Sequence, residues 1–461
     1  MTRKTKKIII ILGALVLLGG AYYGSTVYRY RQLTRGVEPL SSQPRLGNME
    51  WRELVRIETP DLILERTGDI WELVYLAGGI PPGIELDQRE IQGMLFPLSN
   101  MWIDRTVDEE PEDISIFGFD NPSSHVILTD SFGNTVEYIR GDMAPTRLHY
   151  FVMQKGDPAV YAVPSFHGGL MRFPLDSIRL RSLFPHFELN TVTHLWLESP
   201  DTPFEIIARP VDAPPHMFSP FASHIMISPY SHPWGVNMEA LQNFLIPFVN
   251  LSIADFIDDN PSSLAPFGLD RATRVFLQTR TRNLDLSLDL LIGNEINGRH
   301  FAKLPDAPGV FTLNGMESVI NTRPFPLIDK FPILINIDFV DRLTISGGER
   351  LLTADIEGTG PSAIFHLNGR KAEERSFRVF YQSVIGLLVD AEYTGAGSLQ
   401  NNGAVTIEFL LNSPAGERVT ITLYPYNRDF YVLRQNGARE FFISRNQVRR
   451  IFETADAVVF E

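Results

Sequence analysis

The stretch Phe117-Gly118-Phe119-Asp120 recurs as Phe267-Gly268-Leu269-Asp270, and the fold is read outward from that recurrence. Each copy stands after a helical run and an acidic loop, and each opens a series of strand-like segments. Glycine between two large apolar residues marks a corner, because it permits a positive φ while its neighbours bury. Asp120 and Asp270 are expected to accept nearby backbone amides in an Asx-type turn. Upstream, Met94-Leu-Phe-Pro-Leu-Ser-Asn100 aligns with Phe244-Leu-Ile-Pro-Phe-Val-Asn250, proline on proline and asparagine on asparagine. Proline is disfavoured inside a helix, so finding it twice at one place points to duplication.

Alternation and β-branched content predict strands at 54–57, 62–65 and 69–73 in the first copy. Asp87, with Glu90 three residues on, predicts a capped helix carrying Ile91, Leu95, Leu98 and Trp102. After the corner, 126–128 and 136–139 form a hairpin over Phe132-Gly133-Asn134, and 148–152 and 159–163 form another. The second copy repeats the plan: strands 192–198 and 204–208, a helix capped by Asn237, then strands 275–277, 286–292, 299–304 and 310–313. A third copy is degenerate. Its strands are expected at 343–346, 351–356 and 363–367, and Ser376 is expected to cap a helix over 377–388. Tyr393-Thr-Gly-Ala-Gly397 replaces the corner, strands 405–411, 419–424, 430–435 and 440–443 follow, and Ser444-Arg-Asn-Gln447 reads as the capping box of a last helix.

One main helix per copy, hairpin-length turns and no alternating βαβ units predict an α+β chain of tandem strand-rich modules with largely antiparallel sheets. The expected organisation is a cytoplasmic tail 1–7, a transmembrane helix 8–28, a linker 29–50, and modules 51–188, 189–334 and 335–461.

The pattern resembles a bacterial family known as domain of unknown function 4340. The resemblance rests on the corner after its acidic loop, on Ile139-Arg-Gly-Asp142 and Leu291-Ile-Gly-Asn294, and on the pair Tyr150-Phe-Val152 and Val160-Tyr-Ala-Val163. It covers the first two copies well and the third weakly. Members commonly have Tyr where Phe117 and Phe267 stand. The resemblance implies an N-terminal membrane helix and a gene neighbourhood with ABC-transporter components of the gliding-motility type. It implies a partner and carries over no catalytic residue.

The anchor is legible independently. Residues 8–28 carry no charge and are about long enough to span ~30 Å of hydrocarbon as a helix. Tyr22, Tyr23 and Tyr28 suit the interface, and Arg3, Lys4, Lys6 and Lys7 place the N-terminus in the cytoplasm. A cleaved signal peptide is the rival reading; the apolar run continues past any cleavage site, and no clean A-x-A appears. Residues 1–35 hold seven basic residues and no acid. Removing those seven from 41 leaves 34 against 55 acids, a net charge of −21 beyond residue 35. Such a body repels phosphate backbones, so nucleic acid is disfavoured as a partner. With no cysteine, disulfides, thiolate metal sites and a cysteine nucleophile are excluded.

Candidate chemistry is sparse. His216, His224 and His232 lie eight apart in a Pro- and Met-rich segment that the first copy lacks. Neutral imidazoles bind Zn²⁺ or Cu²⁺, with Met217 and Met226 suiting Cu⁺, but the plainer reading is an insertion loop with incidental histidines. Asp108, Glu109, Glu110, Glu112 and Asp113, and Asp255, Asp258 and Asp259, lack the spacing of an EF-hand and read as solvated loops. Ser165-Phe-His167 places a serine near a histidine without a nucleophile elbow. Arg179 and Arg181 read as one exposed strand face, and Gly358-Thr-Gly360 as a lone turn. No phosphate-binding loop is present, so the chain is not itself a transporter ATPase.

No catalytic, cofactor-binding or metal residue is therefore assigned. The expected function is a membrane-tethered, extracytoplasmic structural or binding protein, single-pass in the cell (inner) membrane. It would be accessory to an ABC-type permease/ATPase complex or another envelope assembly. The alternative is an envelope hydrolase or metal-dependent enzyme with a site formed between modules.

Overall fold

The computed structural model describes residues 44–461 apart from 48, 173, 201, 214–221, 283, 396–398 and 400. The expected tail 1–7, the span 8–28 and the linker up to residue 43 lie outside the described residues, as does His216. Among the described residues no helix is long and apolar enough to cross a membrane. The chain divides into two compact units, one ending at Leu180 and one beginning at Arg181.

The first unit begins with β1 (Arg45–Leu46) and then a three-strand meander, β2 (Leu54–Glu58), β3 (Leu62–Thr67) and β4 (Ile70–Leu76). Helix α1 (Gln88–Ser99) follows, then β5 (Met101–Trp102) and β6 (Arg105–Asp108). A second meander runs β7 (Ser124–Asp130), β8 (Thr135–Met143), β9 (His149–Gln154) and β10 (Val160–Pro164), and short helix α2 is Ser165–Leu170. The sheet order is β4-β3-β2-β7-β8-β9-β10-β6, while β1 pairs only with β5.

That order forces the helix into place. The strand before α1 lies on one edge of the sheet and the long-sheet strand after it, β6, on the other. The intervening chain must cross the sheet, so one helix face is buried. Ile91, Leu95 and Leu98, at i, i+4 and i+7, fill it and pack among Leu54, Ile57, Leu64 and Leu128. The Asp87 carboxylate caps the helix by accepting the Arg89 and Glu90 amides. Pro97 sits in the last turn, two residues before the helix ends.

The second unit repeats this plan twice. Its first sheet comprises β11 (Val192–Glu198), β12 (Phe204–Ala208), β13 (His224–Ser228), β14 (Trp234–Gly235), helix α3 (Met238–Leu245), β15 (Asp255–Asp258), β16 (Thr273–Arg280), β17 (Asp285–Ile296), β18 (Arg299–Lys303) and β19 (Val310–Asn314). Short helices α4 (Glu317–Ile320) and α5 (Pro324–Leu327) lead to its second sheet. That sheet comprises β20 (Val340–Gly347), β21 (Arg350–Glu357), β22 (Ile364–Leu367), β23 (Arg370–Lys371), helix α6 (Glu374–Ile385), β24 (Ala391–Glu392), β25 (Val405–Leu411), β26 (Arg418–Pro425), β27 (Phe430–Gln435) and β28 (Ala438–Ser444), with α7 (Arg445–Asp456) last. The orders are β14-β13-β12-β11-β16-β17-β18-β19-β15 and β23-β22-β21-β20-β25-β26-β27-β28-β24. Position for position this is the first sheet with one added edge strand. The pairings are antiparallel throughout. One hydrophobic cluster runs under both sheets of this unit.

The repeated corner is a lock. Ser115–Phe117 and Ala265–Phe267 are 3₁₀ turns that end on Gly118 (φ 80°) and Gly268 (φ 68°). A Cβ on Gly118 would stand 2.5 Å from the Asp142 carboxylate carbon, and one on Gly268 would strike the Asn294 amide. In return, a Cβ on Gly141 or Gly293 would strike the carbonyl oxygen of Phe117 or Phe267. Corner and strand bend therefore approach backbone to backbone at both places. Phe117 packs edge-on to Phe151 at 5.0 Å and Phe267 edge-on to Phe301 at 5.1 Å.

Four expectations are corrected. Asp120 is exposed, and the carboxylate that accepts an amide at the first corner is Asp113, from Ser115 at 2.8 Å. Helix α6 begins earlier than expected and is capped by Glu373, whose side chain accepts the Ser376 amide at 2.7 Å; Ser376 returns its hydroxyl to the Glu373 carbonyl. The segment after 208 is not simply an insertion loop, since its residues 224–228 are the third strand of the sheet. Arg179 and Arg181 are half-buried rather than exposed; Arg181 donates to the Ile253 and Ala254 carbonyls.

The lock predicts an asymmetry among glycines. Gly118→Ala combines a left-handed backbone with a collision and is expected to cost about 1–3 kcal/mol, read as a lowered melting temperature. Gly93→Ala, inside α1 with open space around it, is expected to raise stability by up to about 1 kcal/mol. Equal effects from the two would show that the corner bears no strain.

Candidate functional site

The second unit brings side chains far apart in sequence into one seam between its two sheets. Ser231, in the loop after β13, donates its amide and hydroxyl to Glu440 Oε1 at 2.7 and 2.9 Å. Next to it, His232 Nδ1 lies 3.9 Å from Glu440 Oε2. The Tyr230 hydroxyl donates to Glu392 at 2.8 Å. Phe441, beside Glu440 on β28, stacks edge-on with Trp234 at 4.7 Å and tilted against Tyr230 at 4.9 Å. Nearby, the Lys330 ammonium lies 3.0 Å above the Phe325 ring and donates to the Phe325 carbonyl. Burial pushes Lys330 down to about 8, against the pull of Glu392 and Asp329.

A cavity of about 80 Å³ opens here, lined by His232, Trp234, Asp329, Phe331, Gln435 and Asn436 among others. Seven buried side-chain polar atoms among the described residues lack a hydrogen-bond partner, and four of them belong to this seam: His232 Nδ1, Trp234 Nε1, Gln435 Oε1 and Glu440 Oε2. Native interiors satisfy almost all such groups, so their concentration marks the seam out. The volume exceeds the ~10–15 Å³ that one water needs. The site offers an indole donor, a carboxylate, an amide oxygen and a neutral imidazole to a small polar guest. Burial keeps His232 below the usual histidine range, although Glu440 pulls the other way. The Ser231 hydroxyl and amide both donate to one Glu440 oxygen, so the pair closes this loop onto β28.

Of the three histidines, His216 lies outside the described residues, and His224 and His232 stand in separate contacts. His224 opens β13, is buried, and has both ring nitrogens engaged, Nε2 with the Val192 carbonyl and Nδ1 with Ser223, each at 2.9 Å. A carbonyl only accepts, so Nε2 holds the proton and Nδ1 accepts from the serine; no lone pair remains for a metal. Among the described residues no group of three or more His, Asp or Glu side chains is placed to hold a metal ion.

His167 is likewise structural. It accepts the Trp102 amide at 3.3 Å and stacks on that indole at 5.0 Å. Gly358 and Gly360 are left-handed turn residues between β21 and β22.

One pairing escaped the sequence reading. In the first unit His125 Nε2 meets Glu137 Oε1 at 2.7 Å, and Lys155 meets the same carboxylate at 2.8 Å. Together they hold Glu137 below the usual carboxylate range. The available signal was hairpin register, because β7 and β8 place the two as diagonal neighbours. Ser123 stands in the same cleft, but its hydroxyl donates to the Gly141 carbonyl at 2.7 Å and accepts from Arg140. His194 and Glu205 form the same diagonal pair across β11 and β12, at 2.7 Å. Such pairs stabilise sheets and need no catalytic account.

A family model described as a domain of unknown function (DUF4340) matches residues 80–215 and again 226–383. Neither a curated protein nor a solved structure matches the chain.

The buried histidines give stability a sign with pH. His167, His224 and His232 are each pushed down by burial, so the unfolded chain takes up protons first as pH falls below about 6.5. The melting temperature is expected to fall from pH 7 towards pH 5. His224→Gln together with His232→Gln should flatten that slope; an unchanged slope would show that these imidazoles are not held neutral.

Proposed function

The chain belongs to the DUF4340 family, and from that membership and its sequence we propose that it is a membrane-tethered, extracytoplasmic structural or binding protein. Its partner on this reading is an ABC-type transporter complex or a related envelope assembly. The observation that carries the binding role is the thrice-repeated sheet, in which His167 and His224, two of the histidines weighed for chemistry, are committed to structural bonds. The Ser123, His167 and His224 side chains each hold backbone or neighbouring side chains in place. Broad sheets and their loops suit contact with another protein. The tether is supported by the uncharged run 8–28 behind its basic cluster.

The seam cavity favours a second reading, an envelope hydrolase or metal-dependent enzyme with its site between the second and third modules. It would use His232 as base beside Glu440. It rests on one cavity of about 80 Å³, far smaller than the ~300–1,000 Å³ of ordinary ligand pockets, which ranks it below the first.

Pull-down of the full chain from detergent-solubilised membranes is expected to recover a permease or ATPase subunit. Recovery of no transporter component would count against the accessory role. Hydrolytic turnover abolished by His232→Ala would replace it with the second reading.

A further inference from the structure

We propose that the first unit lies on the bilayer surface through a small aromatic and basic face around the point where the chain enters it. The inference rests on the tethered reading above. The described chain begins at Pro44, and its first strand, β1, pairs Arg45 with Trp102. From that pairing a connected face can be traced. The Arg45 guanidinium stands 6.0 Å from the Phe96 ring, and Phe96 is 43% exposed on α1. On the other side Trp102 stacks on His167, whose ring meets Phe166 edge-on at 5.4 Å. Phe166 is 67% exposed. Its neighbour Ser165 donates its amide to the Leu148 carbonyl at 2.8 Å, and Leu148 is 64% exposed. Arg147, next to Leu148, is exposed as well.

Phe96, Leu148 and Phe166, exposed at 43%, 64% and 67%, together with Arg45 and Arg147 make an apolar and basic face on an acidic body, with the half-buried Trp102 beneath them. Scattered apolar residues need no explanation. These are joined through named contacts and sit at the entrance of the chain. Large apolar side chains beside arginine suit the headgroup boundary, where the rings enter the apolar edge and the guanidinium groups stay among the headgroups.

The chain between the proposed span and Pro44 makes the lipid surface the occupant. Residues 29–43 can reach at most roughly 3.5 Å each, ~50 Å in all. The entrance face is therefore held within ~50 Å of the membrane at the most. Tethering makes even a weak surface contact intramolecular. The nearby Asp104 carboxylate does not oppose this, being paired with Arg105 at 3.2 Å and His149 at 3.4 Å.

The chain has no cysteine, so a single introduced thiol is unique. The full chain carrying Phe166→Cys, or Phe132→Cys for comparison, is labelled with an environment-sensitive fluorophore. It is then reconstituted into phosphatidylethanolamine–phosphatidylglycerol vesicles with or without brominated acyl chains. Phe132 is 78% exposed and follows the far end of β7; Ser124, at the near end, bonds the Met171 carbonyl just after α2. Seven strand residues at about 3.3 Å each separate the two ends by roughly 23 Å. The expected result is at least two-fold quenching at position 166 and none at 132.

Equal quenching at both positions, with the chain resistant to alkaline extraction, overturns the proposal while leaving the tether standing. Release of the chain by alkaline extraction sinks the tether and this face with it. Shielding at 166 without bromine quenching, in preparations retaining a protein partner, assigns the face to that partner and also overturns the lipid assignment.

Discussion

Each sheet hangs on one antiparallel contact between the first strand and the strand after the crossover: β2 with β7, β11 with β16, β20 with β25. Nothing else in the ladder joins the two meanders. The contact begins with Leu54 against Asp130, Val192 against Thr279 and Val340 against Leu411. In all three the register slips directly after that first residue, at Leu54/Arg56, Val192/His194 and Val340/Arg342. A bulge of this kind bends a strand and increases its twist. Repeated at one place, it sets the same curvature over each crossover helix. Closing so long a loop is less costly than its length suggests, since each doubling adds only about 0.6 kcal/mol. A slip of one more residue would turn Leu54, Val192 and Val340, all buried, to the wrong face.

Given that contact, the opposite face of each sheet still needs cover, and the three sheets find it differently. The first two fold the glycine corner down onto the strand bend, burying Phe119 and Leu269 in small cores of their own. The third lacks the Phe-Gly-(Phe/Leu)-Asp sequence. Tyr393 instead meets Phe442 at 5.3 Å and Tyr426 at 5.9 Å, and Phe430 closes on Phe442 at 5.7 Å. The motif that made the repeat visible is thus one solution to a covering problem. An aromatic cluster solves it equally well, and that is why the third copy reads as degenerate while its strand order is not.

Much of the architecture was legible because local signals agreed with it. Asp87 and Asn237 cap the helices they were expected to cap, and β11 and β12 begin and end where alternation placed them. The failures have physical causes, one local and one not. Glu373 is a less familiar cap than Ser376, yet a carboxylate at that place accepts the same amide and suits the positive end of the helix. The edge strands β6, β15 and β24 were missed because they are short and partly acidic. Their pairing partners β10, β19 and β28 lie far downstream, so no window of sequence contains the pattern.

The candidate site was illegible for a stronger form of the same reason. His232 was noticed for its spacing to His216 and His224, but spacing along a chain reports neighbours only within an element of known period. His224 turned into a strand and spent both nitrogens on Val192 and Ser223, whereas His232 met Glu440 from another sheet. Each strand satisfies its own backbone through the ladder, and each helix crossing satisfies its own core. Side chains of two separately completed surfaces meet with no ladder to pair them. Within the second unit that situation arises along the seam between its sheets, where Glu440 has one oxygen held by Ser231 and the other facing His232 at 3.9 Å without a hydrogen bond. Orphaned polar atoms gather there because it is the place where regular structure cannot reach them.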